Sequence, residues 1–260
     1  MLRFAANLTL QFAEVDFLDR FAAAANAGFT EVEYRFPYSH PKDRLAEQLH
    51  KHKFVQVQHN MPAGDWGKGE RGIALFPSRV GEFQDSVGKA LEYAVALDCK
   101  LLHCMAGISP EGVPADRSRA VYISNLQYAA RELKRTGSKL LIEPINTRDL
   151  PGYFLCHTRQ ALDIIAEVGS DNVFVQYDIH NMQIMEGDLS MTIRNNLKLI
   201  AHMQVADTPG RHEPGTGEIN YPFLFEFIDG IGYQGWLGCE YTPLTTTAAG
   251  LAWIEPYLHR

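Results

Sequence analysis

No stretch of this sequence approaches the roughly 18 apolar residues that a membrane-spanning helix needs. The first residues, MLRFAANLTLQF, alternate like a strand and carry neither the apolar core nor the small-residue cleavage site of a secretory signal. Positive charge is short: 24 lysines and arginines face 31 aspartates and glutamates, for a formal net charge of −7. A nucleic-acid backbone is therefore not an expected partner. Cysteine is sparse, and Cys99, Cys104, Cys156 and Cys239 form no C-x-x-C pair. They are expected to be buried free thiols in a reducing cytoplasm. There is no Ser-His-Asp arrangement and no H-E-x-x-H. The G-x-G of RHEPGTGEINY lacks the third glycine of a dinucleotide fingerprint and no strand immediately precedes it, so it reads as a turn before a helix. No Pro/Gly/Ser-rich linker divides the chain, and a single domain is expected over residues 1–260.

What is present is a rhythm. Apolar strand-like runs are expected at residues 3–12, 31–36, 55–59, 100–105, 139–144, 173–178, 200–205 and 236–241. Helical patterns follow each of them: one capped by Asp16 and ending at Gly28, one opening with Pro41, then residues 82–97, 117–134, 158–168, 189–199, 221–231 and 248–257. Eight β–α units of about 32 residues each match the size of the βαβ repeat. Runs such as KLLIEP and VFVQYD are apolar on both faces, as buried parallel strands require. A single (β/α)8 barrel is the expected fold, with an open doubly wound sheet as its rival.

In such a barrel the chemistry collects at the C-terminal strand ends. The fifth run ends at Glu143, the sixth at Asp178, the seventh carries Gln204 and Asp207, and the eighth carries Glu240. A carboxylate inside an apolar run costs several kcal/mol, on the order of a buried unpaired polar group or more, unless it is paired or bound to a cation. Several converging on one mouth point to a divalent cation, and an all-oxygen ligand set favours Mg²⁺ or Mn²⁺. Paired arginine or lysine at each acid is the alternative. Arg211, just past the seventh run, is placed to hold an anionic substrate. His59, at the end of the third, is placed to hydrogen-bond one. The loop at residues 62–77, with its glycines and Trp66, is long enough to form a lid.

The segments HNMPAGDWGKGERGIA, LLIEPIN, QYDIHNMQIMEGDL, QVADTPGRHEPGTGEINY and GCEYTP resemble the hydroxypyruvate isomerase family, within the xylose-isomerase-like barrels that also include ketose 3-epimerases. The resemblance spans essentially the whole chain. It implies a metal site at Glu143, Asp178, Gln204 and Glu240, with Glu143 and Glu240 also acting as the proton donor/acceptor pair. It implies substrate contact by Arg211. The related enzymes carry a histidine three residues after the sixth-strand aspartate; here that position is Asn181, with His180 beside it, so Asn181 is the expected substrate contact. The implied reaction interconverts hydroxypyruvate and 2-hydroxy-3-oxopropanoate through an enediolate, assisted by a divalent cation. A 2-oxo-tetronate or a free ketose is the alternative substrate for the same site. Expected partners are thus a small keto or hydroxy acid, with no nucleic acid and no membrane.

Overall fold

In a computed structural model that describes residues 1–258, the strand-like runs form one parallel sheet of nine segments. They are β1 (Arg3–Asn7), β2 (Glu31–Glu33), β3 (Val55–Gln56), β4 (Gln58–Asn60), β5 (Leu101–His103), β6 (Lys139–Ile142), β7 (Val173–Asp178), β8 (Ile200–Gln204) and β9 (Trp236–Cys239). Their order is β3-β2-β1-β9-β8-β7-β6-β5-β4. The first and last segments of that order are separated in the chain by Val57 alone, whose N–H donates to the Val32 carbonyl at 2.8 Å. β3 pairs with β2 and β4 pairs with β5, so the two segments are one stave that closes the sheet into an eight-stave barrel.

Around it lie α1 (Arg20–Asn26), α2 (Lys42–His52), α3 (Val80–Ala96), α4 (Ala115–Lys134), α5 (Thr158–Val168), α6 (Ile179–Met185), α7 (Leu189–Asn196), α8 (Tyr221–Gly230) and α9 (Glu255–Leu258). The longer helices bury one stripe, for example Leu45 and Leu49 of α2, four apart and on one face. Helix ends follow local chemistry. Gly169 takes the left-handed conformation after α5, and the Asn220 side chain accepts from the Phe223 N–H at the start of α8. Among the described residues, no helix is long and apolar enough to cross a membrane. All four cysteines are buried and free.

Strand alternation sorts the side chains. On β1, Phe4 packs outward against Phe225 and Trp253, while Ala5 joins Val57, Leu101 and Leu141 in a small apolar cluster separate from the main core. Above that plug the inward positions turn polar. Asn7, Glu33, Gln58, Gln176, His202 and Gln204 are all at most 1% exposed. Such a layer is stable only when its polar atoms are mutually bonded. Glu33 accepts from Asn7 Nδ2 at 2.8 Å and Gln204 Nε2 at 3.0 Å, and it bonds His202 Nε2 at 2.6 Å. Gly238 of β9 makes room for it: a Cβ there would lie 2.3 Å from both Glu33 carboxylate oxygens.

Three expectations need correction. The first strand stops at Asn7 rather than residue 12, because the chain turns and Phe12 adopts φ 57°. Asp16 makes no side-chain capping bond, and α1 is preceded by a 3₁₀ turn at Phe17–Asp19. A helix was also missing from the sequence reading: α6 begins directly after Asp178, whose side chain accepts from the Asn181 N–H at 3.1 Å. An aspartate at the end of a strand serves equally well as a helix N-cap.

Candidate active site

Glu143, Asp178 and Glu240 bring one carboxylate oxygen each to within 4.8 Å of one another, and all three are buried. Glu143 and Glu240 line a cavity of about 270 Å³ at the C-terminal mouth of the barrel, walled further by Arg35, Trp66, His103 and Met105, and Asp178 lies beside them behind that wall. Each acid ends a different stave, so the barrel fixes their spacing without help from a mobile loop.

The donors around them are specific. Glu143 accepts from Gln176 Nε2 at 2.8 Å and from Asn181 Nδ2 at 2.9 Å. Asp178 accepts from Arg211 Nη2 at 2.6 Å, and the same nitrogen donates to Glu240 at 2.6 Å. Arg35 Nε donates to the other Glu240 oxygen at 2.9 Å. Gln204 is oriented by its neighbours: the Glu33 carboxylate can only accept, so it takes Nε2 and leaves Oε1 toward Gln176 and the acids.

These surroundings pull the two glutamates apart. Burial, then repulsion by Glu240 and Asp178, pushes the Glu143 carboxyl well above the usual carboxylate range. Burial raises Glu240 too, but Arg35 and Arg211 outweigh it and hold that carboxyl at about 2. Burial pushes His103 down to about 3, so its ring is neutral.

The donor set fits a divalent cation. Three buried carboxylates with oxygens within 4.8 Å of one another repel, and a guanidinium nitrogen already bridges two of them. The Gln204 amide oxygen, turned toward the same acids, is a further hard oxygen beside them.

The remaining expected residues separate. Asn181 lines the cavity, with its orientation set by a bond from Asn146 Nδ2 to its Oδ1 at 2.6 Å. His180 does not reach it, because α6 turns the ring toward Thr208 Oγ1 (2.9 Å), the Asp207 carbonyl (3.1 Å) and Asp149 Oδ2 (3.3 Å). His59 is also displaced. It is fully buried on the outward face of β4, with neither ring nitrogen hydrogen-bonded, and it is not part of the cavity wall. Its neighbours Asn60 and His103 occupy the cavity instead. Asp207 serves the loop after β8, accepting from the N–H groups of Thr208, Gly215 and Ile219. Trp66 does cover the cavity, on a turn that Asp65 caps through Gly67 and Lys68.

Sequence reasoning missed Arg35, Asn60, His103 and Gln176. Period-two counting would have found two of them. Arg35 lies two residues past Glu33, and Gln176 two before Asp178, so each shares the inward face.

The chain belongs to the xylose isomerase-like TIM barrel family, whose profile matches residues 21–257. It is 50% identical to the hydroxypyruvate isomerase of Escherichia coli strain K12 over 257 residues, covering 99% of this chain and 100% of that protein. It is 48% identical to the 2-oxo-tetronate isomerase of Cupriavidus necator over 260 residues, covering 100% of both chains. A crystal structure described as an AP endonuclease, family 2, from Brucella melitensis superposes with a TM-score of 0.97 at 48% identity and 99% coverage of both chains. The expectations of the barrel and of an aldose–ketose type isomerase agree with these relatives.

Proposed function

We propose that the protein isomerises short 2-oxo acids, converting hydroxypyruvate to 2-hydroxy-3-oxopropanoate and back. The observation that carries this is the pair of carboxylates, Glu143 and Glu240, held in opposite environments on either side of one small cavity. Two titratable groups pushed apart in this way divide into acid and base. Glu240, kept ionised by Arg35 and Arg211, takes a proton from C3. Glu143 returns one at C2, and Asn181 and Gln176 hold its two oxygens in place. Arg211 and Asn181 are the proposed substrate contacts at the rim of the acidic cluster. His59 is withdrawn from that role on its placement. Glu143, Asp178, Gln204 and Glu240 would hold a divalent cation, Mg²⁺ or Mn²⁺, whose charge would stabilise the negative charge on the enediolate oxygens at C2 and C3.

The near-equal identity to a 2-oxo-tetronate isomerase supports a second substrate, one carbon longer, for the same chemistry. A nuclease reading fits less well, since the net charge is −7 and the acidic site has no histidine among its clustered ligands. Four buried free thiols support a reducing, cytoplasmic setting. The deciding experiment is a coupled isomerase assay over C3 to C6 keto acids and ketoses, before and after chelation. Activity that is highest on hydroxypyruvate, disappears with the chelator and returns with Mg²⁺ or Mn²⁺ is the expected result. Turnover unaffected by chelation would refute the metal assignment, and turnover of neutral ketoses alone would refute the substrate.

A further inference from the structure

The barrel mouth is divided into two unlike halves. From β6 round to β9, successive staves present Glu143, Asp178, Gln204 and Glu240, the oxygen cluster. The other staves present Asn7, Arg35, Asn60 and His103. On that second half Asn7 and Asn60 carry amides, and Arg35 supplies the guanidinium group.

Two guanidinium groups line the cavity, and they are used differently. Arg211 commits Nη2 to both Asp178 and Glu240, and its Nε is buried with no partner. Arg35 commits only Nε, at 2.9 Å from Glu240. Its backbone N–H is held by Thr9 Oγ1 at 2.8 Å, which anchors the stave end. Among the described residues, neither Arg35 Nη group donates to protein, and the side chain is 26% exposed, toward the cavity. With Nε fixed, the guanidinium plane is fixed, and its outer nitrogens form a prepared fork of the kind that matches a carboxylate.

Charge balance points the same way. Two guanidinium groups and a divalent ion outweigh the three acids of the inner site, by one positive charge when Glu143 is ionised and by two when it carries a proton. A mono-anionic substrate offsets that charge; an uncharged ketose does not. Asp149 at the rim is 48% exposed and screened by water.

Resting on the proposed isomerisation, we infer that Arg35 recognises the substrate carboxylate and makes the site selective for 2-oxo acids over uncharged ketoses of equal length. The test compares hydroxypyruvate with dihydroxyacetone, which carries a CH₂OH where the acid carries its carboxylate, in wild type, Arg35→Met and Arg35→Lys. The acid-to-neutral ratio of kcat/KM is expected to fall about 10–100-fold in Arg35→Met, as loss of a charge-assisted hydrogen bond implies, with the change mainly in KM. Arg35→Lys is expected to recover part of it. In parallel, calorimetric titration with pyruvate, which keeps the carboxylate but cannot complete the reaction, is expected to show affinity weakened by about the same 10–100-fold factor. Equal losses on acid and neutral substrate, as a purely structural or Glu240-tuning role would give, overturn the inference. So does unchanged pyruvate affinity. If wild type isomerises neither compound, the functional reading fails, and the pyruvate titration still decides the role of Arg35.

Discussion

Glu143 and Glu240 share a cavity but differ in company: two amides on one, two guanidinium groups on the other. Replacing either carboxyl with an amide keeps the shape and removes proton transfer. Glu143→Gln and Glu240→Gln are each expected to lower kcat about 10²–10⁴-fold, while circular dichroism stays that of wild type. Wild-type turnover in either variant would dismiss the assignment. At this scale the sequence was legible wherever a polar residue interrupted an apolar run, as Glu143 does in LLIEP and Glu240 does in GCEY. It was illegible where inward polar residues follow one another, as at Gln58 and Asn60, since no apolar background sets them off.

The same stave shows how one position of register decides a role. Gln58 and Asn60 face the barrel lumen and are joined by a 2.7 Å bond, which forces His59 between them to the outside. There, burial pushes the imidazole down to about 4 from an ordinary 6.5. The unfolded chain takes up a proton below about 6.5, whereas the folded one resists until about 4. Stability is therefore full above the unfolded value and is lost as pH falls through that window. Between pH 7 and pH 5 this linkage amounts to about 2 kcal/mol. His59→Leu is expected to flatten the fall in unfolding free energy over that interval by about this amount, measured by urea titration at both pH values. Parallel pH dependence in the two proteins would place the sensitivity elsewhere. Element boundaries were less legible than element types. α6 escaped notice because its first turn, IHN, follows the β7 strand with no intervening Gly or Pro to mark the change.

Over the whole molecule, the acidic cluster gathers the ends of three staves, so binding of an ion there bears on the stability of the barrel as well as on turnover. At about 100 times its Kd, an ion that binds only the folded state adds about 2.7 kcal/mol. In a chain of this size that corresponds to about 5–10 °C in Tm. Mn²⁺ is expected to raise the wild-type Tm by such an amount and to raise that of Asp178→Asn far less, in thermal scans with and without ion. Equal increments would separate the ion from Asp178. The barrel itself was legible from the count of alternating units. Its closure was not, because that depends on the one stave broken at Val57, which the sequence presents as an ordinary run.

The two unlike halves of the mouth also lie in different stretches of the chain. Asn7, Arg35, Asn60 and His103 come before residue 104, whereas Glu143, Asp178, Gln204 and Glu240 all come after it. The later stretch thus builds the oxygen cluster together with Arg211 and Asn181, and the opening strands add the Arg35 face across from it. Exchanging the opening strands alone would remake that face and leave the acid cluster in place.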